Sequence, residues 1–459
     1  MRTDLRLAWL LVRGSDRQEW WRIGLTAVGA LCATGLALAA VALAALRGGQ
    51  YGVPLAHGLL DQPGERRGVV FTLLLLEVPV LGFLGQCARI GAVHRDRRLA
   101  SLRLAGAEAS RVRRIAALET GPACLLGSVL AVAVAVPVLL SLWHRPTPFA
   151  WAGVVVVAAG VPVLGTAAGV PALRRVVTTP LGRVRRIGPR RSGCGPGLWF
   201  LAGMALAVAA ATVSISTSVT VARTWRGSGT LGTLSMLGAV VAVGAGSVWL
   251  AGALSGLTGR SLAGRTGSPA VLIAAERLRA DPWATARTHA ALMLVTVVGT
   301  GYTGVRHVLL ADLYEMRRRH ELGTDLSFYT SGLDLTAAAI VLALVITAAA
   351  LATGTAESLA TRRRGLAAQV AAGVPRAVLA RALLLETALP LAPALLVAGA
   401  GGLAIGLGYA HVAVHYGRPA FPYWSLLVPV AVHAACLLAA AASLPLLRRS
   451  VRPGELRYA

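Results

Sequence analysis

Glu77 interrupts an otherwise apolar run, Leu74-Leu75-Leu76-Glu77-Val78-Pro79. A carboxylate inside a bilayer is expensive, and where one is kept it serves as a proton relay or as a contact for a cationic substrate. The alternative is a protonated carboxyl hydrogen-bonded to a carbonyl that Pro79, lacking an N–H, leaves free. His433, in the last apolar run, is either its partner or a satisfied polar residue between helices. His411 and His415 stand four apart, which puts both on one helical face at a spacing that suits a metal. No carboxylate or cysteine lies close enough to complete such a site, so the plainer reading is a pair of interfacial histidines and no metal. Cys32, Cys87, Cys124 and Cys436 fall in apolar runs and Cys194 in a basic loop, without CxxC spacing. They read as small buried hydrophobes. The chain contains no lysine. A P-loop needs one to reach the β- and γ-phosphates, so this chain is not read as an enzyme that hydrolyses a nucleotide, and no cofactor is assigned to it.

The elements around these residues are set by composition. Of the 459 residues 56% are hydrophobic and 14% charged, and the mean hydropathy is +0.67. Soluble domains carry about 25% charged residues, so the class is an all-α polytopic membrane protein. Ten apolar stretches approach or exceed the roughly 20 residues that cross a hydrocarbon core. They are Ile23–Leu46, Gly68–Ala88, Thr120–Leu142, Trp151–Leu173, Leu198–Ala222, Thr230–Ala253, Thr288–Val305, Leu333–Thr353, Thr387–Ala410 and Trp424–Leu447. The first is too long for a signal-peptide core and reads as a retained anchor.

The net charge of +26 comes from 45 basic against 19 acidic residues, and every basic residue is arginine. Such a balance would suit nucleic acid only if the arginines gathered on a soluble face. Instead they sit between spans: 34 lie in the leader, the alternate loops and the C-terminal tail on one side, and 11 on the other. The positive-inside rule then places both termini in the cytoplasm. The arginine, alanine and glycine usage suggests a high-G+C bacterial genome, and hence the bacterial cytoplasmic membrane. On the opposite side the longest loops are 47–67 and 306–332, too short for a folded domain of ordinary size. The run Arg317-Arg318-Arg319-His320-Glu321 reads there as a solvated loop or a headgroup contact. Two amphipathic segments, Leu5–Arg13 with Trp20-Trp21 behind it and Ala270–Arg279, suit helices lying in the interface.

An internal repeat organises the chain. Residues 95–120 (RDRRLASLRLAGAEASRVRRIAALET) align without a gap on 362–387 (RRRGLAAQVAAGVPRAVLARALLLET). Ten of the 26 positions are identical, where this composition gives roughly three by chance. The pairs include Arg95/Arg362, Leu99/Leu366, Gly106/Gly373, Glu119/Glu386 and Thr120/Thr387. Residues 1–197 thus form a first four-span unit with loop 89–119, 254–459 a second with loop 354–386, and 198–253 supply two linking spans. In each loop the spacing predicts a short helix (Leu99–Ala105 in the first), a glycine stop in the left-handed region, and a second helix, Glu108–Glu119 in the first, leading into the membrane. A small helix standing off the bilayer is a suitable docking knob for a cytoplasmic partner.

The pattern Arg-x-Arg-x-Leu-Ala-x-x-x-x-Ala-Gly, followed by Leu-Glu-Thr, resembles the signature of FtsX-like permeases, the membrane subunits of a class of ABC transporters. The closing Arg452-Pro453-Gly454-Glu455-Leu456-Arg457 and the ten-span layout are similar to the bacitracin-exporter type. The family includes exporters of macrolides and peptide antibiotics and the lipoprotein-release system. The resemblance implies that Leu99, Leu102, Arg103, Leu104, Ala105, Gly106 and Ala107 form one ATPase-coupling helix. Leu366, Gln369, Val370, Ala371, Ala372, Gly373 and Val374 would form the other. It also implies a dimeric cytoplasmic ATPase that binds ATP and Mg, with one permease chain per dimer. Two departures stand out: the large external domain of many members is missing, and Gln369, Val370 and Pro375 replace Leu102, Arg103 and Glu108 in the second copy.

Three functions follow as expectations. The first is export, or extraction from the membrane, of a hydrophobic antibiotic, peptide or lipid. The second is a non-transporting lever that passes ATPase motion to another envelope protein. The third is an ion-coupled transporter using Glu77. The partners expected are the ATPase, membrane lipid and a hydrophobic substrate, and no nucleic acid.

Overall fold

The computed structural model describes residues 17–46, 60, 63–87, 104, 106, 108–142, 146–178, 229–321, 323, 325–413 and 421–450. These residues form helices and no strand. The helices are α1 (Arg17–Ala45), α2 (Pro63–Cys87), α3 (Ala109–Leu142), α4 (Pro148–Thr178), α5 (Gly229–Ala263), α6 (Pro269–Ala280) and α7 (Pro282–Arg318). They continue with α8 (Leu326–Thr361), α9 (Arg363–Ala371), α10 (Arg376–Ala413), a 3-10 turn Tyr423–Leu426, α11 (Leu427–Ala441) and α12 (Leu444–Ser450). Eight of the described segments are long and apolar enough to cross a membrane, and α2 adds a shorter apolar stretch, Gly68–Leu84. The expected span Leu198–Ala222, the interfacial segment Leu5–Arg13 and Cys194 lie outside the described residues.

Helix is the only local answer for these segments, because hydrocarbon offers backbone N–H and C=O groups no partner outside the chain. Side-chain hydroxyls obey the same rule and bond back one turn: Thr26 to the Arg22 carbonyl at 2.8 Å, Thr296 to Leu292 at 2.8 Å and Thr347 to Ala343 at 2.8 Å. Outward faces are apolar. Val134, Val155, Val345 and Leu438 are all more than half exposed, an arrangement that suits lipid and not water.

The chain divides into two compact units, Met1–Gly188 with Asp334–Thr361, and Pro189–Leu333 with Arg362–Ala459. The division does not follow chain order, because most of α8 is counted with the first unit. In that unit α3 presses its backbone on α1: a Cβ added to Gly127 would stand 2.2 Å from the Ala27 carbonyl oxygen. Beside this crossing the buried hydroxyls of Thr34 and Ser128 share a 2.8 Å hydrogen bond. Ala30, Ala33, Val80, Leu84 and Cys124 form the core, and Gly165 of α4 sits directly against the Cys124 sulfur. Ala350 of α8 packs with Phe83 and Cys87 of α2, with Ile346 alongside. Cys87, Cys124 and Cys436 are buried free thiols, and Cys32 is half-buried.

In the second unit α7 and α10 make the closest crossing. Gly402 and Gly406, small residues four apart, meet Gly301 and Gly304 of α7 almost backbone to backbone. α5 spans residues 229–263 and packs on α6, α7 and α10, so this stretch belongs to the unit's core and is more than a linker.

The segment expected as a loop at 306–332 is mostly helix. α7 runs on to Arg318 and α8 starts at Leu326. Arg318 and Arg319 reach back to Glu315 at 3.0 Å each, and cations in a last turn also suit the helix dipole. α7 stops at His320, whose φ of 58° is the left-handed conformation usually left to glycine. The N–H of Glu321 closes the turn on the Met316 carbonyl at 3.0 Å.

The α7–α10 crossing gives a paired test on one helix. A Cβ at Gly402 would lie 2.4 Å from the Val297 carbonyl oxygen, whereas nothing lies within 4 Å of one at Gly408. Gly402→Ala lowers stability by about 1–3 kcal/mol, and Gly408→Ala raises it by about 0.5–1 kcal/mol. Thermal melts of the two detergent-solubilised variants separate these outcomes.

Candidate functional site

The second copy of the repeated loop is described in full. α8 ends at Thr361, Arg362 breaks the helix with φ −96° and ψ 4°, and α9 starts at the next residue. The inner side of α9 is anchored: Leu366 and Ala367 are 1% and 3% exposed, and the helix packs on α12. Gly373 then stops it at φ +89°. Two bonds close the stop, Val374 N–H to the Gln369 carbonyl and Gly373 N–H to the Val370 carbonyl, both 3.0 Å. This is a Schellman motif, and only glycine adopts its left-handed position without a Cβ penalty. Pro375 follows where a helix must not continue, and α10 begins at Arg376.

The exposed side of α9 and its stop carries Gly365, Ala368, Ala371, Ala372 and Gly373, with Arg364 and Arg376 flanking it. A blunt knob of small residues results. Of the residues expected to touch a partner, Ala371, Ala372 and Gly373 are exposed, and Gln369, Val370 and Val374 are half-buried. Leu366 differs from them: its side chain is buried and holds the knob in place from inside.

In the first copy Leu104, Gly106 and Glu108 are described and exposed, as are their repeat partners Ala371, Gly373 and Pro375. Gly106 has φ +90°, matching Gly373 within a degree. α3 begins at Ala109, as the second helix of the loop required. Leu99, Leu102, Arg103, Ala105 and Ala107 lie outside the described residues.

One residue that sequence reasoning had only paired with its repeat partner holds the junction together. Glu386, ten residues into α10, binds Arg277 of α6 at 2.9 Å and Arg362 at the α8–α9 break at 3.0 Å. A single carboxylate thereby ties the interfacial helix, the base of the knob and the helix behind it. The signal was on the page: Arg95/Arg362 and Glu119/Glu386 are retained together in both copies.

The intramembrane polar residues fall in different units. Glu77 of α2 is half-buried, its carboxyl lies against the Ala37 backbone of α1, and Cys32 is within its electrostatic reach. Its Oε1 is enclosed and has no hydrogen-bond partner among the described residues. His433 of α11 likewise has an enclosed, unpartnered Nδ1. His411 closes the described part of α10, and His415 lies beyond it.

Two double-mutant cycles test the junction. Arg277 and Glu386 are 18% and 22% exposed, but Arg362 is 45% exposed. A double-mutant cycle with Glu386→Gln and Arg277→Gln should return a coupling of about 1–2 kcal/mol. The cycle with Arg362→Gln should return about 0.5 kcal/mol, as more exposed pairs do. Separately, the Oε1 of Gln369 is enclosed without a partner among the described residues, where the first copy has Leu102. Gln369→Leu removes that unsatisfied oxygen and should raise stability by about 1 kcal/mol, read from the shift of the thermal midpoint.

No family model matches this chain, and no curated protein or solved structure matches it either.

Proposed function

We propose that this chain is the permease subunit of an ABC transporter in the bacterial cytoplasmic membrane. It would have ten spans and both termini in the cytoplasm. In this reading a separate dimeric ATPase, which binds ATP and Mg, docks on the two repeated loops. Its closure drives export or membrane extraction of a hydrophobic antibiotic, peptide or lipid, an activity that would confer resistance to such compounds.

The observation that carries the reading is the duplicated glycine stop. Gly106 and Gly373 occupy equivalent repeat positions and share a left-handed φ of +90° and +89°. A helix that re-enters the bundle follows each within three residues. A stop-transfer loop accounts for arginines but has no need of two matched left-handed glycines. The Glu386 junction supports the same reading, because a push on α9 reaches α6 and α10 through ion pairs and not through a slack loop. In this reading nucleotide hydrolysis falls to the partner, since the chain has no lysine for a P-loop.

An ion-coupled transporter is favoured by one observation, the enclosed and unpartnered Oε1 of Glu77. Its weakness is that the repeat places Leu344, not a second acid, at the corresponding position of α8.

Ala371→Arg tests docking without straining the fold, since Ala371 is exposed and lies at the end of a regular helix. In a detergent pull-down with the ATPase subunit, wild type should retain two ATPase chains. The variant should lose retention and stimulated turnover by about tenfold or more, as a charge forced into a packed contact does. Equal retention would remove the docking role of α9. Loss of an ion-linked transport signal in Glu77→Gln alone, with no ATPase bound to wild type, would favour the ion-coupled reading instead.

A further inference from the structure

The α5–α6 corner of the second unit carries a feature that the docking reading does not use. The end of α5 and the turn after it form a shallow, open depression lined by Leu257, Arg260, Ser261, Gly264 and Arg265. Neither arginine has a carboxylate partner among the described residues, and no Asp or Glu occurs between Gly229 and Ala275. The Nε of Arg260 donates to the Gly256 carbonyl at 3.0 Å, which orients the guanidinium and leaves its terminal nitrogens for another acceptor. The Ser261 hydroxyl is already engaged, donating to the Thr258 carbonyl at 3.1 Å, so the two guanidiniums are the donors of this depression. A helix C-terminus carries only about half a negative charge, and two full positive charges outweigh it. The corner therefore attracts an anion.

Its surroundings say which anion. α6, directly after the corner, is the amphipathic helix with Ala270, Ala274, Ala275 and Leu278 turned into the bundle. Leu257, 54% exposed, lines the same depression, so apolar surface lies beside the arginines. A planar guanidinium fork matches a phosphate bidentately. An apolar wall beside a phosphate-binding pair fits a molecule that is anionic at one end and hydrocarbon at the other.

We propose that Arg260 and Arg265 form a binding site for the phosphodiester of an anionic phospholipid, with Leu257 against its acyl chain. The site is specific to this corner and stands independently of the transporter reading.

The test uses the full chain in nanodiscs of phosphatidylcholine with a minor share of phosphatidylglycerol, followed by native mass spectrometry of retained lipid. Wild type should keep phosphatidylglycerol in preference to phosphatidylcholine. Arg260→Ala and Arg265→Ala should each weaken retention roughly fivefold, about the effect of one arginine at an anionic surface, and the double variant more. Arg318→Ala, at the far end of α7, should leave retention unchanged. Both arginines are exposed, so unchanged thermal melts show that the variants are folded. Equal retention in the double variant, or equal loss in Arg318→Ala, would overturn the proposal. So would arginine-dependent binding of inorganic phosphate in lipid-free detergent that displaces phosphatidylglycerol, since the ligand would then be a soluble phosphate.

Discussion

Two helices in hydrocarbon gain little by hiding apolar side chains from each other, because lipid tails are just as apolar. What holds them is dispersion between atoms in contact, and that falls steeply with any gap. The bundle meets this constraint by bringing backbones together. Gly127 lies against Ala27, Gly165 against Cys124, and Gly402 and Gly406 against Gly301 and Gly304. Each crossing needs a missing side chain at one place and a helix held straight enough to use it. The hydroxyls of Thr34 and Ser128 add a buried hydrogen bond where the first of these crossings is closest.

Packing of this kind makes each unit stiff, and stiffness is what gives the junction at Glu386 its meaning. α9 is too short to be stable alone, since helices below about 12 residues are marginal in water. It persists because Leu366 and Ala367 are buried and Gly373 closes its end, while Glu386 fixes its base to α6 and α10. The exposed side is correspondingly bare, alanine and glycine only. Apolar anchors face inward and a small-residue surface faces out, so the knob can fit a cleft without first having to unpack.

Most of the fold was legible in the sequence for a simple physical reason: a bilayer leaves apolar runs no choice but helix. The repeat was legible as well, and it located both left-handed glycines, because no other residue suits a Schellman stop so cheaply. The ends of helices were harder. α7 runs past its apolar stretch to Arg318 because Glu315 and the following arginines stabilise a helical turn in water, which hydropathy does not register. For Leu366 the repeat identity signals importance without saying whether the side chain points in or out, and the structure turns it in. Glu386 was missed as a structural centre because its partners lie 24 and 109 residues away. Only the joint retention of Arg95/Arg362 and Glu119/Glu386 hinted at it.

Duplication followed by divergence has left the halves unequal in ways that matter to any partner. The second loop buries the unsatisfied Gln369 oxygen where the first has Leu102, and its knob presents Ala371 where the first presents Leu104, 62% exposed. An exposed leucine buries more apolar area on docking than an alanine, at about 25 cal/mol per Å². Two identical docking clefts would therefore hold the first loop more tightly than the second. The same inequality runs through the membrane: Glu77 has leucine as its counterpart, and the second unit alone gains α5 and its arginine corner. On the proposed reading, a symmetric ATPase would meet two different loads on such a chain, so its two strokes need not be equivalent. Asymmetry of that kind is a means of giving direction to a motion that perfect two-fold symmetry would leave undirected.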